Sequence, residues 1–268
     1  MNEKERINFF GALIDPLTMN ETLNKVSEII ETKTITQHVV VNVAKLVFMQ
    51  KDENLKNIVN SCDLINADGA GIVFGAKLLG VNIPERVAGI DLMENIVKMS
   101  SEKGYSIYFL GAQEEIITKV ISKYKAIYPN LKVAGYRNGY YTEQEELTIA
   151  ENIRDSKADV LFVAISSPKK EIFLNKYLNI MNVPFVMGVG GSFDVVAGKV
   201  SRSPVFMQKL GLEWFYRLIQ EPRRMWKRYL VTNSIFLYIL MKSFVNRWHY
   251  NFINNSFNPF KRLHNNAG

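Results

Sequence analysis

The sequence predicts an α/β protein: a Rossmann-like, mostly parallel sheet with helices on both faces, carrying a basic helical appendage at its C-terminal end. Three observations point there. Short apolar or β-branched runs alternate with longer segments of helical character up to about residue 191, the pattern of parallel strands joined by crossover helices. Several of these runs stop at a small or polar residue, at Asn42, Asp68, Gly111, Ser166 and Gly188. Ligands of such sheets sit beyond the carboxyl ends of the strands. From Arg202 onward Arg and Lys mix with Trp, Phe, Tyr and Leu, whereas acids and bases are roughly balanced before it. That shift places a boundary near residue 200, between an α/β domain of residues 1–200 and an appendage of residues 201–268.

The elements follow in order. Thr18-Met-Asn-Glu21 is a capping-box pattern and opens a helix to about Thr32. His38-Val-Val-Val-Asn42 reads as a buried strand. Residues 52–61 read as a helix, Asp63 to Asn66 as a short strand, and the segment after Asp68-Gly-Ala-Gly71 as a helix ending near Gly80. A helix over Ile90 to Lys103 stops at Gly104, and a strand over Tyr105 to Leu110 stops at Gly111. Then come a helix over Glu114 to Ile127 and a strand from Lys132. Thr142 and Glu145 form a second capping box, opening a helix to Ser156. Asp159 to Ile165 is a strong buried strand, Pro168 to Asn179 a helix, and Pro184 to Met187 a strand closing in Gly188-Val-Gly-Gly191.

Composition bounds the function. With 268 residues, 47% of them hydrophobic, the chain can bury the core of one large domain. A net charge of +7 favours anionic partners. The single cysteine, Cys62, cannot form an intrachain disulfide and fits a reducing compartment. The charged N-terminus lacks a long apolar stretch, so no signal peptide is expected and the protein reads as cytoplasmic. In the appendage, Trp214, Arg217, Arg223, Arg224, Trp226, Lys227 and Arg228 recur along one expected helix, where Arg217 and Arg224, seven residues apart, share a face. The apolar stretch from Tyr229 to Val245 is broken by Asn233, Ser234 and Lys242, too often for a membrane span. It suits a helix lying on an anionic membrane surface; the alternative is a helix packed on the core or on another subunit. No RNA or DNA motif accompanies the basic residues, so nucleic acid is not an expected partner.

Two stretches have phosphate-binding character, Gly188-Val-Gly-Gly-Ser-Phe-Asp194 and Asp68-Gly-Ala-Gly71 with Gly75. The second, with Asp91 downstream, half resembles a dinucleotide loop and keeps a nucleotide-dependent oxidoreductase open as a rival reading. There is no Walker A pattern, no Asp-x-Asp, no Gly-x-Ser-x-Gly, and the three histidines are scattered. Neither a metal site nor a bound cofactor is expected. Asp68, after a strand and ahead of Gly69, suits either a general base or a helix N-cap.

The segments Val41-Asn42, Asn66-Ala-Asp-Gly69, Pro84-Glu-Arg-Val-Ala-Gly-Ile-Asp91, Phe109-Leu-Gly-Ala112, Ser167-Pro-Lys-Lys-Glu171, Gly188 to Asp194 and Gly211-Leu-Glu-Trp-Phe-Tyr-Arg-Leu-Ile-Gln-Glu-Pro-Arg-Arg224 occur in that order. Together they resemble the WecG/TagA/CpsF family of glycosyltransferases, over roughly residues 10–230. The resemblance implies inverting, metal-independent transfer from a UDP-sugar to an undecaprenyl-diphosphate-linked sugar, at the inner face of the cytoplasmic membrane, by a protein that can form homo-oligomers. It implies that Asp68 is the catalytic base, that Arg86 assists diphosphate or acceptor binding, and that Asn42 positions sugar hydroxyls. Asp194, Gly190 and Gly191 are expected at the nucleoside, with Gly111 beside them. Tyr136 either stacks on uracil or is a half-buried core aromatic. Arg217 and Arg224 are expected at the diphosphate. The chain departs from the family pattern at Val40, where Thr is common, and at Lys170, where Gln is common. A cation at 170 suggests contact with a carboxylate or phosphate, as a uronic-acid donor would provide.

Overall fold

The computed structural model describes residues 5–256, so the last part of the expected appendage, 257–268, lies outside the described residues. The chain opens with a hairpin of β1 (Ile7–Phe9) and β2 (Ala12–Ile14). Then come α1 (Met19–Thr32), β3 (Thr36–Val41), α2 (Val43–Met49), α3 (Glu53–Asn60), β4 (Leu64–Ala67), α4 (Ala70–Leu78), α5 (Gly89–Lys103), β5 (Ser106–Gly111) and α6 (Glu114–Ile127). The rest is β6 (Lys132–Arg137), α7 (Glu146–Asp155), β7 (Val160–Ala164), α8 (Lys169–Met181), β8 (Phe185–Gly188), α9 (Ser192–Val196), α10 (Val205–Lys209), α11 (Glu213–Gln220) and α12 (Pro222–Ser256). Strands β3 to β8 form one sheet in the order β4-β3-β8-β7-β5-β6, with every neighbouring pair parallel.

Strand alternation divides the sheet into two apolar faces. On one, Leu64, Ile107, Phe109, Phe162, Phe185 and Met187 pack under α1, α5 and α6. On the other, Val39, Val41, Ile65 and Ala67 pack under α2, α3, α4 and α12, while Leu110, Leu161, Val163 and Val186 pack under α7 and α8. The expected helices on both faces are present. Both capping boxes form, at Thr18–Glu21 and Thr142–Glu145, although the second opens a 3₁₀ turn before α7.

The appendage departs from expectation in one respect. It is not one helix through Trp214 and Arg228: α11 stops at Gln220 and α12 starts at Pro222. Pro222 has no N–H to continue α11 and forces Glu221 out of helical geometry (φ −128°, ψ 58°), while proline is well suited to start the next helix. Arg217 and Arg224 therefore sit on different helices and do not share a face.

Helix α12 closes the half of the sheet around β3 and β4. Its Phe236 and Leu240 are buried in the same cluster as Phe9, Ile72 and Ala76. They reach it because α4 presents Gly75 there: a Cβ on it would lie 3.0 Å from the Phe236 ring and 3.3 Å from Leu240. Fully burying two such side chains contributes about 3–6 kcal/mol, before the cost of ordering the helix.

At the centre of the sheet, β5 and β7 approach so closely at their carboxyl ends that only glycine fits. Gly111 has φ +120°, and a Cβ there would lie 2.5 Å from the Ala164 carbonyl oxygen. Backbone on both sides leaves nothing free to yield. Gly111→Ala is expected to destabilise the protein by at least about 3 kcal/mol, read as a lowered urea midpoint.

Candidate active site

Asp68 lies one residue past β4, tied to the end of β3 by its backbone N–H on the Val41 carbonyl at 2.8 Å. It is not a helix cap: α4 starts from Gly69, which has no side chain to cap with. The half-buried carboxylate accepts a hydrogen bond from the Gly89 N–H at the start of α5. Burial pushes its pKa up to about 6. The Arg86 guanidinium opposes that shift, Glu213 adds to it, and Arg217 opposes it. The result is a carboxyl that titrates near neutrality, where a general base works best.

The partners of Asp68 come from two regions. Arg86 stands in the loop before α5, with Asp91 at 3.9 Å from one of its nitrogens. Its other terminal nitrogen donates to Glu213, the first residue of α11. Asp91 is itself held by Arg202, which also reaches Glu94 at 3.5 Å. One helical turn beyond Glu213, Arg217 lies against Gly191: a Cβ there would sit 3.7 Å from the guanidinium. The appendage therefore supplies an anion and a cation to a site whose other half follows β4.

Beneath the glycine loop lies a second charged group. Glu171 is shared between Lys45 at 2.9 Å and Lys170 at 3.3 Å, and all three side chains are buried. The Lys170 stem crosses Gly188, where a Cβ would lie 2.6 Å from Cε, and its ammonium ends near Gly190. Burial pushes the Lys170 pKa down to about 8, Lys45 and Arg228 act the same way, and Glu171 only partly restores it. Burial disfavours the Glu171 carboxylate, but the two lysines outweigh it and hold the acid below its ordinary range.

The structure thus brings together Asp68, Arg86, Arg217 and Gly191, with Lys170 and Gly190 adjoining. Asn42 is the N-cap of α2, its Oδ1 accepting the Lys45 N–H at 3.0 Å, and its Cβ lies 4.0 Å from the Cβ position of Gly69. Asp194 sits in α9 with Lys199 at 3.6 Å. Tyr136 is exposed on the edge strand β6, five strand spacings or about 24 Å from β4, and is not brought to Asp68. The Arg224 side chain lies outside the described residues. Of the glycines read as half of a dinucleotide loop, Gly71 is closed by Val43 of α2, which a Cβ there would meet at 2.8 Å, and Gly75 by Phe236 and Leu240 of α12. Glu213 and Lys45 carry no expectation from the sequence, and Arg228 is expected only as part of the basic helix; an acid four residues before Arg217 is the available signal for Glu213. Among the described residues, no three His, Cys, Asp or Glu side chains are grouped to hold a metal ion.

The model of the Glycosyl transferase WecG/TagA/CpsF family matches residues 7–250. The chain belongs to this family. It is a glycosyltransferase. It is similar to the N-acetylglucosaminyldiphosphoundecaprenol N-acetyl-beta-D-mannosaminyltransferase of Bacillus subtilis (strain 168), 38% identical over 180 residues, covering 67% of this chain and 69% of that one. The protein of the same name from Bacillus spizizenii is 38% identical over 173 residues, covering 65% of this chain and 66% of that one.

The raised pKa of Asp68 has a cost in stability for the glycosyltransferase. The folded value, about 6, exceeds the ordinary 3.8, so the folded state holds the proton more tightly than the unfolded chain. Ionisation then destabilises the fold, by nothing below about pH 4, increasingly as pH rises toward 6, and fully above it. Asp68→Asn is expected to stabilise the protein by about 2 kcal/mol at pH 8, allowing for partial solvent access, and to lose that advantage by pH 4. Calorimetry across this range checks it; a melting temperature below wild type at pH 8 contradicts it.

Proposed function

We propose that this glycosyltransferase moves a hexose derivative, N-acetylmannosamine-like or a uronic acid, from a UDP-sugar to an undecaprenyl-diphosphate-linked sugar, with inversion and without a metal ion. The observation that carries the reading is a carboxyl that burial pushes up to about 6, Asp68, flanked by Arg86 and Arg217 beyond the ends of β4, β3 and β8. In a single displacement, the acceptor hydroxyl oxygen attacks the anomeric carbon and its proton passes to Asp68. The bond from that carbon to the β-phosphate oxygen breaks, and UDP departs with the electron pair. Arg217, beside the glycine loop, supports the charge that accumulates on UDP; Arg86 orients the acceptor beside the base. Asn42 contacts sugar hydroxyls, Gly190 and Gly191 let the diphosphate approach, and Asp194 faces the nucleoside. Gly111 shapes the neighbouring end of β5.

Residues 201–268 then serve as a membrane-associating appendage at the inner face of the cytoplasmic membrane. No helix of the described residues is long and apolar enough to cross a membrane. Helix α12 is apolar on two sides: Phe236 and Leu240 face the core, while Leu230, Leu237, Tyr238 and Met241 are exposed. Lys227 and Lys242 accompany the outward side and suit anionic headgroups.

UDP release is expected with a lipid-diphosphate-linked N-acetylglucosamine acceptor and a donor from a panel of UDP-N-acetylmannosamine and UDP-uronates. Asp68→Asn should lower kcat roughly 10²–10⁴-fold. Release of nucleotide from none of the donors, or wild-type turnover by Asp68→Asn, contradicts the reading. Cosedimentation with anionic vesicles, weakened by salt and by Leu237→Glu, is expected for the appendage. Vesicle binding unchanged by that substitution, with light scattering showing a dimer it dissolves, would instead assign the outward face to a second copy.

A further inference from the structure

Glu213 belongs to no expected role, yet it pairs directly with Arg86 in the site. Its carboxylate accepts from Arg86, and the local chain path is built to bring it there. The turn before α11 passes through Gly211 at φ +72°, where a Cβ would lie 2.3 Å from the Ala70 Cβ. Any side chain at 211 would hold the turn off the first residue of α4, two residues from Asp68. With glycine there, α11 starts directly over the Asp68 loop. Glu213 falls on Arg86 and Arg217 on Gly191, both from one helix. Arg86 has only a distant second acid, Asp91 at 3.9 Å, and Arg202 already engages that one.

We infer that Glu213 is a positioning residue for transfer: it holds Arg86 beside Asp68 and, through that contact, sets the pH range in which Asp68 can accept the acceptor proton. This rests on the reading of Asp68 as the base. The charges facing Asp68 are Arg86 from the loop before α5 and Glu213 and Arg217 from α11, together with the Gly89 N–H from α5. Asp91, on α5, and Arg202 stand behind Arg86. Glu213 acts on Asp68 twice, and both effects have one sign. Its own negative charge disfavours ionisation of Asp68, and it neutralises the arginine that most favours it. Removing it frees Arg86 to stabilise the ionised base, which becomes weaker and works at lower pH. Removing Arg86 does the opposite.

The test is the pH profile of kcat/KM for UDP release, with the acceptor and donors named above. The acid limb of Glu213→Gln should move down by about one pH unit, with kcat above pH 7 lowered several-fold. Glu213→Asp, which keeps the charge but draws it back from Arg86, should shift the limb less, and Arg86→Gln should move it up. A merely structural role for Glu213 lowers activity equally at every pH and leaves the limb in place, and that result overturns the inference. Should Glu213→Gln not fold, Glu213→Asp carries the same test with a smaller shift. The two layers separate cleanly. If Asp68→Asn is inactive and the limb of the Glu213 variants does not move, only this inference falls. If Asp68→Asn turns over like wild type, the reading beneath it falls as well.

Discussion

The packing of α12 onto α2 and over Gly75 of α4 is the contact on which the rest depends. A parallel sheet with two apolar faces must be covered on both, and over β3 and β4 the cover comes from near the end of the chain. Gly75 makes room for Phe236 and Leu240, so the helix sits close enough to act as core. Once α12 is seated, the break at Pro222 fixes where α11 lies, above the ends of β4 and β8. A hydrophobic requirement of the sheet thereby places two charged side chains at the site. The chemistry is a by-product of how that face is closed.

The two charged groups under the glycine loop illustrate different uses of burial. In Lys45–Glu171–Lys170 one carboxylate serves two ammonium groups, leaving an excess positive charge inside the protein. Such a group costs desolvation that its own attraction repays only in part, so it is weak evidence for stability and better evidence for a role. The cluster at Asp68 is arranged otherwise. Two acids and two arginines are interleaved, and the net effect on Asp68 is a carboxyl poised to exchange its proton. His38, buried nearby on the sheet, is driven by burial to a pKa of about 4 and stays neutral, bonded to Asn66 at 2.9 Å. It takes no part in that exchange.

The sheet and its main helices were legible because their signals are local. Thr18 with Glu21 caps α1, and apolar runs mark β3, β7 and β8. What was missed depends on contacts remote in sequence. The β1–β2 hairpin is built from strands too short for periodicity to show, held by a turn with Phe10 and Gly11 both at positive φ. Helix α2 follows β3 with no break but Asn42, whose capping role the apolar run Val43 to Met49 conceals. Gly71 and Gly75 carry a spacing of four that serves a phosphate loop or a helix crossing equally well, and only the position of Phe236 decides between them. The same holds at Glu213: nothing in its neighbours announces that Arg86, 127 positions earlier, is its partner.

That separation bears on how the enzyme comes into being. Chains emerge from the ribosome N-terminal end first, and domains begin to fold as they appear. Asp68 and Arg86 emerge first, and the partner at 213 follows Arg86 by 127 residues, with Arg217 after it. Until then the carboxyl has no acid opposing its ionisation and the glycine loop has no Arg217 over it. The face of β3 and β4 also waits for Phe236 and Leu240. Folding of that face, assembly of the charge cluster and arrival of the outward apolar side of α12 thus fall in the same late stretch of translation. A nascent chain acquires the charge cluster proposed to act in transfer only as it acquires the helix proposed to bring it to a membrane.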